Sequence, residues 1–343
     1  MVITDLGWVQ ASLPVGDGGL GIRSVALLAP SAFLASAAAT LGLQESLLPA
    51  SGGYPDHAWD RTLDAWLVNC GGPIPPAARW PKQRSWDQAS IAYGLSVLAE
   101  KLTEPVQRAR LHAVQSHHSG DWLHAWPITA CGLRMDDETI RVAVGLRLGA
   151  NLCAPHECPC GSKVDASGIH GLVCRHSKGR LPRHALVNDL VHRSLVKAGY
   201  PSTKEPVGLL RGDGKRPDGC TFTAWEMGKN LAWDATVADT LAPSALPITC
   251  LKAGATAERA TLAKQAKYAE ISRTHCFCAV ALETFGPINV DGCSLLEKIG
   301  RRLSSLSGDP RESAFLFQRL SVIIQRGNVI SFLGSFLEAV VTR

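Results

Sequence analysis

Charge is scarce in this chain: Asp, Glu, Lys and Arg make up 19% of its 343 residues, against 46% hydrophobic ones. That balance excludes an intrinsically disordered chain, which carries much charge and little apolar surface. No internal repeat and no low-complexity tract occurs, which argues against a repeat architecture. The first residues show no basic stretch leading into an apolar one, so secretion is not expected. Eleven cysteines are present, but they are odd in number, dilute and irregularly spaced. A disulfide scaffold is therefore excluded, and a reducing, intracellular setting is expected. The net charge of +5 is mild: it allows a polyanionic partner without requiring one.

The length accommodates two domains, or one domain with helical extensions. One long run, Ser24 to Gln44, carries no charge at all. It could span a bilayer by length, but it is rich in Ala and Ser and is interrupted by Pro30, which favours a buried helix without membrane contact. Residues 1–150 are expected to be mostly helical, with segments near 30–42, 57–69, 86–114 and 136–147. Breaks such as Gly71-Gly72-Pro73-Ile74-Pro75-Pro76 separate them. Trp8, Trp59, Trp66, Trp80, Trp86, Trp122 and Trp126 concentrate here and read as packing anchors rather than base-stacking platforms.

Residues 151–180 form a short block rich in Cys, His and Gly. Beyond it, His184 to Ala198 reads as an amphipathic helix: Leu186, Leu190, Val191 and Leu195 make one stripe, and His184, Asn188 and His192 make another. Two strands follow, Cys220–Trp225 and Asn230–Thr240, around a turn at Met227-Gly228. In the second, Trp233 and Val237 alternate with Asp234 and Thr236. A helix over 256–273 and a continuously apolar strand over 276–283 complete a mixed sheet, the last strand being expected at its centre. Asp309-Pro310-Arg311-Glu312 opens a C-terminal helix that Gly327-Asn328 should close. The fold class is α+β: a helical N-terminal region (1–150), a small zinc knuckle (151–180), a mixed-sheet core (181–290) and a helical C-terminal extension (291–343).

Within that core, a tight turn at Met227-Gly228 pairs residues whose numbers sum to about 455. Asp218, in Arg216-Pro217-Asp218, then lies a diagonal step from Asp234, and a bulge near Gly219 would close the gap. Two acids in one pocket repel unless a divalent ion sits between them, and Mg²⁺ suits such oxygen donors. Lys264, Lys267 and Tyr268 share one helix, so any of them could reach the pocket to orient water or offset phosphate charge. Glu205 is a further candidate ligand. The competing reading makes Asp218 a turn cap and the lysines a solvated face, yet an acid among Leu, Trp and Val at Asp234 is costly unless used.

Cys158 and Cys160, nine residues to His170, then three to Cys174, supply three sulfurs and one imidazole, a structural Zn²⁺ set. Cys153, His156, His176 and His184 leave the fourth ligand open. Between this block and the acidic site lie Arg175, Lys178, Arg180, Arg183 and His184, a basic run suited to sequence-independent phosphate contact.

These residues together resemble the C-terminal portion of a non-LTR retrotransposon polyprotein of the early-branching type. Leu13-Pro14 with Gly18-Gly19-Leu20-Gly21-Ile22-Arg23-Ser24 looks like the entry to a reverse transcriptase thumb. The four Cys/His positions look like that family's zinc knuckle. Arg216-Pro217-Asp218, Asp234 and Lys264-Gln265-Ala266-Lys267-Tyr268 look like its restriction-like nuclease of the PD-(D/E)xK class. Gln318-Arg319-Leu320-Ser321 and Gln325-Arg326-Gly327-Asn328 are similar to its tail. Nearly the whole chain is covered, and the knuckle and nuclease parts are the more specific. The resemblance implies a Mg²⁺-dependent DNA endonuclease, nuclear, nicking target DNA for reverse transcription, with the element RNA as a second candidate partner. Two departures stand out. No polymerase palm motif of paired aspartates occurs, and Asp234-Ala235-Thr236 lacks a lysine two places after the acid, which the following helix must supply. The rival expectation is an inactive nucleic-acid-binding remnant.

Overall fold

The computed structural model describes residues 2–47, 57–70, 72–209, 212 and 214–336; Gly71 of the expected break lies outside them. Helix α1 (Asp5–Ser12) starts where the Thr4 hydroxyl accepts from the Gly7 amide at 3.1 Å. With α2 (Val25–Leu47), α3 (His57–Cys70) and α4 (Gln83–Lys101) it belongs to one compact unit, Thr4–Val15 plus Gly19–Thr103. The tryptophans do anchor it. Trp66 and Trp86 are fully enclosed and meet edge-to-face at 5.1 Å, with Trp59 and Trp80 against them. Trp8 and Trp126, by contrast, are exposed. Helix α2 departs further from expectation. It is long and apolar enough to cross a membrane by length and composition, and only 17% of that stretch is buried. It seats a narrow stripe (Ser31, Leu34, Ala35) on α3 and α4 and leaves its other faces open.

A second unit takes in the chain from Glu104 onward, with Gly16–Gly18. The helix expected over 86–114 is two helices, because Pro105 cannot donate to a preceding turn and instead opens α5 (Pro105–Val114). Helix α6 (Asp137–Leu148) is capped by the Asp136 carboxylate and ended by left-handed Gly149. A hairpin of β1 (His156–Glu157) and β2 (Lys163–Val164) precedes the single turn α7 (His170–Val173).

Helix α8 (Arg180–Lys197) ends in paired bonds, Tyr200 to the Leu195 carbonyl and Gly199 to that of Val196. Its apolar face is Val187, Val191 and Leu195; Leu186 points to solvent. The polar stripe is not a solvent face. His184, Asn188 and His192 each reach the sheet, at Asp218, the Trp233 indole and Ser202 respectively.

That sheet runs β3 (Ser202–Lys204), β4 (Gly219–Glu226), β5 (Lys229–Ala238), β6 (Cys276–Glu283), with β6 parallel to β5. The short α9 (Leu246–Thr249), then α10 (Ala255–Lys267) and α11 (Ile271–Thr274), make the crossover. The mixed sheet and its helix are as expected, but β6 lies at the edge and β5 is inside. An unbroken apolar run reflects two covered faces, and β6 has α10 on one side and α12 (Val290–Ser307) on the other.

The hairpin register begins as expected, Glu226 opposite Lys229 across Met227 and Gly228, both left-handed. It then slips, to Ala224 opposite Asn230 and Cys220 opposite Ala232. There are two irregularities, one just past Gly219 between Cys220 and Ala224, where the Thr221 hydroxyl takes the Leu231 amide at 2.9 Å, and an unexpected second one between Ala224 and Glu226. Gly219 ends up opposite Trp233, where a Cβ would lie 2.0 Å from the indole.

The last helix, α13 (Glu312–Leu333), runs through Gly327-Asn328 rather than stopping there. Gly327 is an approach point: a Cβ would meet the Arg183 side chain at 2.7 Å. Leu295, Leu296 and Ile299 of α12 and Leu316, Phe317 and Leu320 of α13 share one core with Trp233, Val280 and Val191. The C-terminal helices are therefore part of the sheet's own core, not an extension.

Candidate active site and metal cluster

Continuing the β4–β5 register by one residue sets Asp218 opposite Asp234 rather than a diagonal step away, but the two carboxylates take separate partners instead of sharing the one pocket expected. Strand β4 has begun only at Gly219, so the Ala235 amide has no backbone partner on that side. The Asp218 carboxylate takes it at 2.7 Å. The same oxygen meets His184 Nε2 at 3.1 Å, and His184 lies equally near the Ala235 carbonyl. That hydrogen bond with Asp218 holds the imidazole above its ordinary pKa, with burial opposing.

Asp234 is 3% exposed and faces the other side of the strand, toward α10. The alternation within β5 puts Leu231, Trp233 and Ala235 in the main core, and Ala232 in a smaller cluster with Tyr268 and Ile271. Lys264, one turn before the end of α10, donates directly to the Asp234 carboxylate. Of the three candidates on this helix, Lys264 is the one brought to the acid. Lys267 donates to the Tyr268 hydroxyl at 2.6 Å, and Tyr268, fully buried, donates to the Arg216 carbonyl at 2.8 Å. Tyr268 thus fixes the segment that delivers Asp218. Glu205 is not gathered: its amide donates to the Asp218 carbonyl at 2.8 Å, but its carboxylate, 65% exposed, turns to the Arg216 guanidinium. The donor atoms of Asp218, Asp234 and His184 do not form one of the three-donor clusters within 4.8 Å found among the described residues.

The Cys/His block does form one. The donor atoms of Cys158, Cys160, His170 and Cys174 all lie within 4.8 Å of one another, a set that can hold a metal ion such as zinc. Cys158 Sγ is 3.9 Å from Cys174 Sγ, and Cys160 Sγ is 3.2 Å from His170 Nε2. The hairpin β1–β2 presents the first pair across Gly161, whose φ of +84° a side chain would resist. Helix α7 presents His170 and Cys174 one turn apart. Hydrogen bonds at Ser162 hold the Cys160 thiol down to about 6, while burial pushes Cys158 up to about 11. The alternatives lie elsewhere: Cys153 against the Asp165 and Ala166 carbonyls, His156 on Ser335 and Phe336, and His184 on Asp218. His176 contributes only its backbone amide, to Cys174 Sγ at 3.4 Å.

Between this cluster and the acidic site lies a cavity of about 550 Å³, lined by Arg175, Arg180, His184, Thr236 and Val237 among others. Arg175, Lys178 and Arg180 are exposed. Arg183 is not a surface cation. It is 2% exposed, donates to Asn328 Oδ1 at 2.7 Å, and burial pulls its pKa down while Asp239 opposes. It is a structural group.

Two buried acids escape a sequence reading. Glu283, at the end of β6, accepts from the Thr256 and Ala257 amides at the start of α10, at 2.9 and 3.2 Å, and its other oxygen has no partner. Asp239 likewise keeps one buried oxygen without a partner. Burial is the main cause that pushes both carboxyls above their ordinary values. Comparison with protein-family models gives no match, and comparison with curated proteins gives none either.

Proposed function

We propose that this chain is a Mg²⁺-dependent DNA endonuclease of the restriction-like PD-(D/E)xK kind, similar to the nuclease part of early-branching non-LTR retrotransposon polyproteins. In that role it nicks target DNA inside the nucleus to prime reverse transcription. The observation that carries the reading is the direct pairing of Lys264 with the buried Asp234 carboxylate, on the strand whose next amide, Ala235, is taken by Asp218. A strand register brings the two acids level, and a crossover helix supplies the basic nitrogen that Thr236 cannot.

The donors fit the ion in kind. Two carboxylates are hard oxygen ligands, and Mg²⁺ needs only one or two of them because it keeps several waters. When bound, the ion would lower the pKa of water and stabilise charge on the phosphate. The chain's own groups do the rest. Asp218 and Asp234 would hold the ion, Lys264 would offset phosphate charge and orient the attacking water, and Tyr268 positions the Asp218 segment through the Arg216 carbonyl. Arg175, Lys178 and Arg180 grip the backbone of DNA, or of the element RNA, beside the cavity. The cysteine–histidine cluster holds structural Zn²⁺.

One observation favours a second reading, a nucleic-acid-binding remnant. Lys264 and the Ala235 amide already satisfy the two acids without an ion. The deciding experiment is nicking of supercoiled plasmid with Mg²⁺ by the parent and by Asp234→Ala. The nuclease reading expects nicking by the parent alone. Equal nicking by both proteins refutes the assignment of these residues, and nicking by neither leaves the remnant.

A further inference from the structure

A second group of metal-ligating side chains lies away from the acidic site and from the cysteine–histidine cluster. Cys293 and Glu297 sit one turn apart on α12, with Cys293 Sγ 3.8 Å from Glu297 Oε1. His118 comes from the turn after α5. Its donor atom and theirs all lie within 4.8 Å of one another.

The histidine is held for a purpose that its own contacts do not exhaust. Its backbone is left-handed at φ +66°, a strained choice for a residue with a Cβ. Its ring lies flat on Phe317, centroids 3.6 Å apart and planes 4° from parallel. Nδ1 meets the Asp121 carboxylate at 2.7 Å, which engages one of the two ring nitrogens. Nε2 is buried and has no hydrogen-bond partner. A buried polar atom left so is destabilising unless a ligand satisfies it.

We propose that His118, Cys293 and Glu297 form a second zinc site, with three protein ligands and a fourth position open to a small exogenous ligand. The ligand chemistry selects the ion: a sulfur and an imidazole beside one carboxylate suit zinc, whereas Mg²⁺ and Ca²⁺ want oxygen alone. Asp121 behind His118 is the carboxylate that commonly orients a metal-bound imidazole and strengthens it as a donor. A cleft of about 300 Å³ opens at His118 and Cys293, with Lys252 and Glu258 on its walls. Three ligands and an open cleft distinguish this site from the closed four-ligand cluster, so it would admit water or a small anion. The proposal is independent of the nuclease reading.

The test is zinc stoichiometry of the full-length chain after dialysis against trace Zn²⁺. It is measured in the parent, in Cys160→Ser with Cys174→Ser, and in His118→Asn. The parent should hold about one equivalent more than His118→Asn, and the double cysteine variant should keep that equivalent. Asp121→Ala should weaken it by about 10–100-fold without removing a ligand. If His118→Asn misfolds, alkylation of Cys293 in the parent replaces it: added Zn²⁺ should protect this thiol in the double cysteine variant too. Unchanged stoichiometry in folded His118→Asn, or alkylation of Cys293 that zinc does not slow, overturns the site.

Discussion

Replacing Lys264 with Met separates the structural part of the acidic site from its chemistry. Met retains most of the aliphatic stem, so packing against α10's neighbours survives while the charge is lost. Asp234, at 3% exposure, is then left without its cation. Breaking a fully buried pair this way costs about 3–5 kcal/mol, while an exposed pair is worth about 0.2–1. The Lys264 side chain is 25% exposed, which places Lys264→Met between those limits, at about 2 kcal/mol. Asp234→Asn should cost less, about 1 kcal/mol, since the freed ammonium can turn to water. The double variant should recover much of the loss and reveal a coupling of about 1–2 kcal/mol. Urea unfolding followed by circular dichroism measures all four proteins. The same assay with Mg²⁺ asks the functional question. An ion held at Asp234 should restabilise Lys264→Met by about 1.4 kcal/mol for each tenfold excess over its dissociation constant. Unfolding of Lys264→Met at the parent's urea midpoint, with no shift on adding Mg²⁺, would refute the idea that Asp234 requires a cation.

Gly219→Ala should destabilise by about 1–3 kcal/mol in thermal or urea unfolding, because its Cβ would strike a Trp233 ring pinned by Asn188 at 2.9 Å. Glu283→Gln should flatten the pH dependence of stability. The buried acid keeps its proton in the folded chain to a higher pH than in the unfolded one, so its contribution is complete below its ordinary 4.5 and is lost as pH rises through the raised value. Denaturation midpoints across that window should therefore fall less steeply in the variant. Arg183→Ala should lower stability with little change in the salt dependence of DNA binding. Arg175→Ala and Arg180→Ala should leave stability alone and each reduce the salt slope by about 0.9, read by fluorescence anisotropy.

The parts of the site legible in the sequence are those with local causes. Alternation along Leu231–Val237 fixed which residues of β5 face the core and which face α10, and Asp234 followed from it. The metal cluster was legible because its ligands fall within a short loop, with Gly161 marking the turn. The hairpin register was legible only at the turn, since the slip depends on a hydroxyl at Thr221 standing in for a backbone carbonyl. Arg183 looked like its basic neighbours, yet α13 arriving from far along the chain encloses it. The polar stripe of α8 was visible, but not its destination, because i, i+4 spacing states which residues share a face and not what that face meets. His118 offered no signal at all: its partners on α12 are distant in sequence, and only Cys293 and Glu297 carry helical spacing.

Helix α13 passes so close to the metal loop that glycine is required on the other side. A Cβ at Gly168 would lie 2.2 Å from Phe332, and one at Gly179 would lie 2.1 Å from Ser331. The same helix carries Leu316 and Phe317 in the core beneath the sheet. Loop and sheet are thus bolted to one beam, so that under the proposed function a nucleic acid bound beside the first would be presented to the second at a set distance, like stock clamped against a guide.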